Sequence, residues 1–296
     1  MSDAALSTGA RAQAATNAPA RPVARRRTGF EGSRPIPYWA RIVIPLGIAA
    51  ALLAFWEFAV RYYGISHVIL PAPSLIYRSF ETDGVSLLGS LLHTARVTYI
   101  GFACALTLGV ITAIGFARSK VIEVALSPFA VMLQVTPSIA IAPLVVIWVG
   151  INNSSLAVLI LATIVAFFPI LSNTTLGLKS ADHNLRELMH LSRASSWQRL
   201  VKLELPSAMP YLLGGMKISI GLALIGSVVA EFVAGSGGSM GLAWRIIEAA
   251  NRLNAARMFA ALTLLSAFGI LNFIVLSRIQ HALLHRWHES AVSASR

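Results

Sequence analysis

The chain has little charge, few acids and almost no sulfur in thiol form. Only 12% of its 296 residues are charged, against roughly 25% in ordinary soluble domains. That shortage excludes a surface that faces water throughout. The lone cysteine, Cys104, excludes an intrachain disulfide and lies inside an apolar run, where it reads as a small packing residue. A phosphate-cradling loop is also missing. Such a loop is Gly-rich and ends in Gly-Lys-Ser/Thr, and none of the four lysines follows a glycine. Any energy drawn from a nucleotide must therefore come from another polypeptide.

What is present is apolar, at 56% of residues, and it is arranged in long runs. Ile42 to Val60 carries one acid, Glu57, and Val97 to Ala117 carries no charge. Val121 to Ile151 is interrupted by Pro128, Pro137 and Pro143. Leu156 to Leu178, Ile218 to Ala230 and Phe259 to Ser277 are uncharged. About 20 apolar residues in a helix cross the ~30 Å hydrocarbon layer, so these runs predict six transmembrane helices in an all-α integral membrane protein. A buried soluble bundle would need polar outer faces, which these segments lack.

Six spans put both termini on one side of the membrane. Eighteen of the 24 Arg and Lys residues then share a compartment with the termini, and six (Arg61, Arg78, Arg96, Arg245, Arg252 and Arg257) lie opposite. The basic excess marks the cytoplasmic side, which predicts cytoplasmic termini in a bacterial inner membrane and contact with membrane lipid. The net charge of +12 is spread over short loops, which reads as topology rather than nucleic-acid binding. Residues 1–41 read as a disordered basic tail, 42–281 as the membrane domain and 282–296 as a second cytoplasmic tail. "RRRTGF" superficially resembles a twin-arginine signal, but the strong span behind it favours an anchor.

One hydrophilic stretch stands apart, within 179–210. "NLRE" at 184–187 and "SSWQ" at 195–198 each fit a capping box, predicting two short helices with a break near "LSRAS". Leu185, Leu188 and Met189 share one face of the first, and Trp197, Leu200 and Val201 one face of the second. Leu205-Pro206 is expected to end the second helix, since Pro206 has no amide to donate. Exposed apolar residues on such a loop read as a partner site, or as an amphipathic segment lying on lipid headgroups.

Glu187, Ala194-Ser195, Trp197 and Leu205-Pro206 resemble the cytoplasmic signature of ABC importer permeases. "LPAPS" at 70–74, "RVTYIGF" at 96–102, "TPSIAIAPLVVIW" at 136–148, "FFPILSNTTLG" at 167–177, "LPSAMPYLLGGMKISIGLAL" at 205–224, "VVAEFVAG" at 228–235 and "LLHRW" at 283–287 are similar to the nitrate/sulfonate/taurine branch. The resemblance implies a type I, methionine-importer-like permease fold. It implies a homodimer or paired permease, two cytoplasmic ABC ATPase subunits and a periplasmic solute-binding protein. No cofactor would be bound by this chain, and ATP would be used by the partner. Glu187, Leu188, Arg193, Ala194, Ser195, Trp197, Leu205 and Pro206 would form the loop that docks the ATPase. Arg193 departs from the family's usual glycine, and Leu188 and Met189 from its small residues.

For the transport path, Thr136, Pro137, Ser138 and Pro143 break the third span, and a helix break in a membrane must be resatisfied inside protein. Asn173 and Thr174 are polar positions of the fourth span. Glu231 and Glu57 are acids near span ends, functional suspects with structural roles equally open. The Gly-rich segment 235–246, with Gly235, Gly237, Gly238 and Gly241, resembles a short external gate helix. "GGSMG" at 237–241 matches G-x-S-x-G, but Ser236 and Ser239 lie a membrane thickness from His281, His285 and His288, which argues against a serine protease. His67 and His93 share the serines' compartment, but the sequence does not bring them near. The three C-terminal histidines share a helical face without an acid or thiol and read as solvated rather than metal-binding. A stand-alone secondary transporter or channel is the alternative function.

Overall fold

The structure, a computed structural model, describes residues 37–150, 153–234 and 241–284. Residues 1–36 and 285–296 of the expected tails, with His285 and His288, and the Gly-rich segment 235–240, with Ser236 and Ser239, lie outside the described residues, whereas 38–41 and 282–284 are helical. The chain divides into two compact units, Met1–Leu52 and Leu53–Arg296. The described part of the first is the N-terminal portion of one helix, α1 (Tyr38–Tyr62).

Every described element is helical. After α1 come α2 (Pro73–Arg118), α3 (Lys120–Val135), α4 (Ser138–Val149) and α5 (Ser154–Lys179). The polar loop holds α6 (His183–Leu191), α7 (Ser196–Arg199) and a π-helical turn, Leu200–Glu204. The chain then runs through α8 (Leu205–Ala234), α9 (Leu242–Asn251) and α10 (Ala255–Leu284). Five of these helices are long and apolar enough to cross a membrane, and α3 with α4 makes a sixth crossing if the pair counts as one.

The α3–α4 pair bends by 102° at Thr136-Pro137. Pro137 forces the residue before it out of the helical region, and Thr136 is extended, with ψ 124°. The two ends of the pair nevertheless reach opposite ends of α5. Glu123 near the start of α3 pairs with Lys179 at 2.6 Å, whereas Ala142, Val145 and Val146 of α4 pack on Ala157 and Val158. The broken pair thus runs the length of α5.

The second span starts earlier than its apolar run. Helix α2 begins at Pro73, where a missing amide costs nothing in the first turn, and continues for 46 residues. At 1.5 Å per residue that is about 69 Å, more than twice the hydrocarbon thickness. The uncharged run 97–117 is its membrane part, and the charge-bearing part before it belongs to the same helix. His93 therefore sits on this helix.

Helix α5 is the centre of the bundle, and glycines set its contacts. A Cβ on Gly101 or Gly109 of α2 would fall 2.7 Å from Ala162 or Ile170. On the other side, Gly177 faces Ala208, Gly215 faces Pro169 and Asn173, and Gly226 faces Ala162. The pairings show α2 parallel to α5 and α8 antiparallel to it. Small residues let helix backbones approach where lipid offers no hydrophobic drive between helices. Consequently the C-termini of α2 and α5 and the N-terminus of α8 gather at one end, here called the basic end, beside the polar loop.

Candidate functional site

The polar loop is built from stiff pieces. Asp182 caps α6, its carboxylate accepting from Asn184 N at 2.8 Å and Leu185 N at 3.2 Å. The capping box expected at 184–187 is not formed. Asp182 lies two residues upstream and takes the free amides, while Glu187 faces His183 at 2.9 Å. The box at Ser195–Gln198 is formed in full, with Gln198 N donating to Ser195 Oγ at 3.2 Å and Ser195 N to Gln198 Oε1 at 2.8 Å.

Between the two helices the chain makes a Schellman turn. Ala194 N donates to Met189 O at 2.9 Å and Arg193 N to His190 O at 3.0 Å. That turn needs a left-handed residue, and Arg193 supplies it with φ +53°. The position where the resembled family has glycine is thus the one position of the loop where a side chain is strained. Leu253, at the end of α9, occupies the same turn with φ +53°.

The Leu-Pro pair does not end the second helix. Pro206 sits in the first turn of α8, and the chain from Ser196 to Ala234 is continuously helical. The widened turn 200–204 resolves the conflict. Leu205 N donates five residues back to Leu200 O, which opens the coil where Pro206 has no amide to offer.

Ionic contacts fix the loop to the bundle. Arg186 donates to Leu178 O at 2.8 Å, Arg118 to Ser196 O at 2.7 Å, and Glu204 sits between Arg118 and Arg199. Away from the bundle, Leu188, Leu191 and Trp197 are exposed, Trp197 at 71%. Glu187, Arg193 and Ser195 are also exposed, and Ala194 is half-buried. The loop thus presents apolar side chains, with Glu187 and Ser195 already paired inside it. Sequence reasoning missed Asp182, Arg118 and Glu204. The visible signals for the last two were an acid immediately before Leu-Pro and an arginine closing an uncharged run.

The sites expected along the path separate. Thr136, Pro137 and Ser138 line a cleft of about 390 Å³ between the α3–α4 break, α5 and α8, together with Gln134, Pro169 and Leu222. Pro143, Asn173, Thr174 and Glu231 are not in its lining. Pro143 is exposed, Asn173 donates to Pro169 O at 2.8 Å, and Thr174 is fully buried with no protein partner for its hydroxyl.

The two acids near span ends cap helices. Glu231 is fully buried, accepting from Thr94 Oγ1 at 2.9 Å and from Ala243 N, in the first turn of α9, at 3.0 Å. Thr94 Oγ1 in turn accepts from Leu242 N at 2.9 Å. Glu57 accepts from Ser74 N at 3.0 Å, in the first turn of α2, and from Ser74 Oγ at 2.8 Å. Both carboxylates satisfy free amides at a positive helix end. On α9 itself, Arg245 hydrogen-bonds Glu248 at 2.8 Å and holds that carboxyl below its usual range.

Residues 105–288 match the family model described as binding-protein-dependent transport system inner membrane component. The chain belongs to this family. It is 34% identical over 254 residues to the riboflavin transport system permease protein of Chloroflexus aurantiacus, covering 85% of this chain and 92% of that one. It is 32% identical to the formylaminopyrimidine transport permease of Halalkalibacterium halodurans, over 79% and 91% of the two chains. A putative aliphatic sulfonates transport permease of Bacillus subtilis is 30% identical, over 82% and 87%. The crystal structure of an amino acid ABC transporter with histidines has the same fold, with a TM-score of 0.57 at 15% identity, over 70% of this chain and 97% of that one. The chain is therefore a permease subunit of an ABC-type importer, a transport component rather than an enzyme.

Three substitutions probe this geometry. A Cβ at Gly241 would collide with the Glu231 carboxylate, whereas one at Gly221 meets nothing within 4 Å. Gly241→Ala is expected to lower the thermal unfolding midpoint in detergent, by the equivalent of about 1–3 kcal/mol of overpacking, with Gly221→Ala unchanged or raised. Arg193→Gly relieves the left-handed strain and is expected to raise stability by about 1 kcal/mol, read by the same melt.

Proposed function

We propose that the permease imports its solute by letting a separate cytoplasmic ATPase grip the 179–210 loop. Two copies of the chain form the pore, and a periplasmic binding protein delivers the solute. The observation that carries this reading is the exposed set Leu188, Leu191 and Trp197 on a loop whose every helix end is capped and whose base is ion-paired to the bundle. A loop lying passively on headgroups needs no such stiffening. A mechanical handle does, because a soft one would dissipate the ATPase's motion. The basic end, holding Arg118, Lys120, Lys179, Arg186, Arg193, Arg199 and Lys202, is the cytoplasmic end on this reading, with both termini on that side.

Glu187, Leu188, Arg193, Ala194, Ser195 and Trp197 form the docking surface, and Leu205-Pro206 starts the shaft that leaves it. Thr136, Pro137 and Ser138 line the path at the cleft, where the kinked backbone supplies polar groups among apolar walls. The solute belongs to the group served by the relatives, which spans riboflavin and formylaminopyrimidine as well as aliphatic sulfonates, nitrate and bicarbonate.

Replacing Trp197 with Ala, or Leu188 with Glu, is expected to cut the ATPase recovered with the detergent-purified permease by at least about tenfold, as loss of an interface hot spot does. A stand-alone transporter or channel predicts no ATPase in either preparation, and solute flux indifferent to ATP. For the substrate class, the binding protein that stimulates the complex's ATP hydrolysis is expected to bind one of those five solutes. Capture of a sugar or peptide instead would reject the class.

A further inference from the structure

Helices α5 and α8 are joined to the loop by the chain itself, but α2 is not. Among the described residues its polar connection is one side chain. Arg118, the last residue of α2, donates through Nη2 to Ser196 O at 2.7 Å, and the same nitrogen lies 3.3 Å from Glu204 Oε2. The other Glu204 oxygen accepts from Arg199 Nε at 3.0 Å. Glu204 is 6% exposed, within the π-helical turn, whose Leu200 packs with Phe116 of α2, Leu178 of α5 and Ala208 of α8.

A buried ion pair is a poor source of stability, because an apolar residue of similar size would pack there at no desolvation cost. What the charges add is direction. A leucine at 204 would have no preferred register, whereas the carboxylate is hydrogen-bonded to Arg199 through one oxygen and ion-paired to Arg118, without a hydrogen bond, through the other. The carboxylate sits in the π-helical turn that Pro206 requires, and such turns are frequent at functional sites. Further along α2, about 36 Å from Arg118 at 1.5 Å per residue, Thr94 bonds both Glu231 and the amide of Leu242. Helix α2 thus has polar ties to both the loop and the first turn of α9, as does α8, which is continuous with the loop and carries Glu231.

We propose that Arg118 and Glu204 are positioning residues that make α2 move as one body with the ATPase-docked loop, so that nucleotide-driven motion reaches α9 at the opposite end through α2 as well as through α8. This rests on the reading of the loop as the ATPase's handle. Without the strut, the loop would move while α2 lagged.

The test uses the complex of permease and ATPase in a Cys104→Ala background. Spin labels are placed at Lys202 on the loop and at Val85 on α2, both exposed. Their separation is measured without nucleotide and after trapping with MgATP and vanadate. With the native pair the separation is expected to change by less than about 2 Å, and with Glu204→Gln by about one helical turn, ~5 Å. Arg118→Met with Glu204→Leu replaces the ion pair by apolar residues, repeats the measurement if the single variant does not fold, and is expected to show the same larger change. An equal change in native and variant complexes overturns the proposal, including the case where the variants merely melt sooner. Failure of the underlying reading is distinct, because it appears as ATPase retained by Trp197→Ala.

Discussion

The bundle depends on how closely helix backbones approach α5. Gly101 and Gly109 on one side and Gly177, Gly215 and Gly226 on the other leave no room for a Cβ without displacement of a neighbour. In lipid, apolar side chains gain little by leaving their surroundings, so contact must come from dispersion at short range and from hydrogen bonds between helices. The parallel α2–α5 and antiparallel α5–α8 pairs then decide which ends meet. The polar loop, the π-helical turn and the end of α2 share one end because those glycines fix the register.

Hydrogen bonds between helices fill a second role. Thr98 and Ser227 meet at 2.9 Å, and Tyr99 donates to Asn272 at 2.7 Å. Glu57 and Glu231 go further, each serving the open amides of a helix that begins elsewhere in the chain. An acid in an apolar run is first a suspect for transport chemistry. Here both oxygens of each acid are engaged by donors from the helix that it caps and its neighbours, which describes anchors for helix entry.

Much of this was legible in the sequence, and the failures have physical causes. The apolar runs located the crossings, because hydrocarbon thickness sets their length. The Ser195–Gln198 box and the break near Arg193 were legible because caps and turns are local. The start of α2 was not, since charge marks where a helix leaves lipid and says nothing about where it stops. Pro206 was misread because the rule that proline ends a helix assumes fixed four-residue spacing, and the π-helical turn relaxes it. Asp182 displaced Asn184 as a cap, a shift of two residues within a polar run rich in capping side chains. The partners of Glu57, Glu231 and Glu204 were out of reach, because they lie 17 and 137 residues away in two cases and depend on helix packing in the third.

The broken third crossing is made of two short halves. Helix α3 has 16 residues and α4 has 12, so at 1.5 Å per residue they measure about 24 Å and 18 Å. Neither reaches across ~30 Å of hydrocarbon alone. Held apart from α5, neither half has the length to be a crossing, so the element depends for its course on the wall that α5 offers along its whole length.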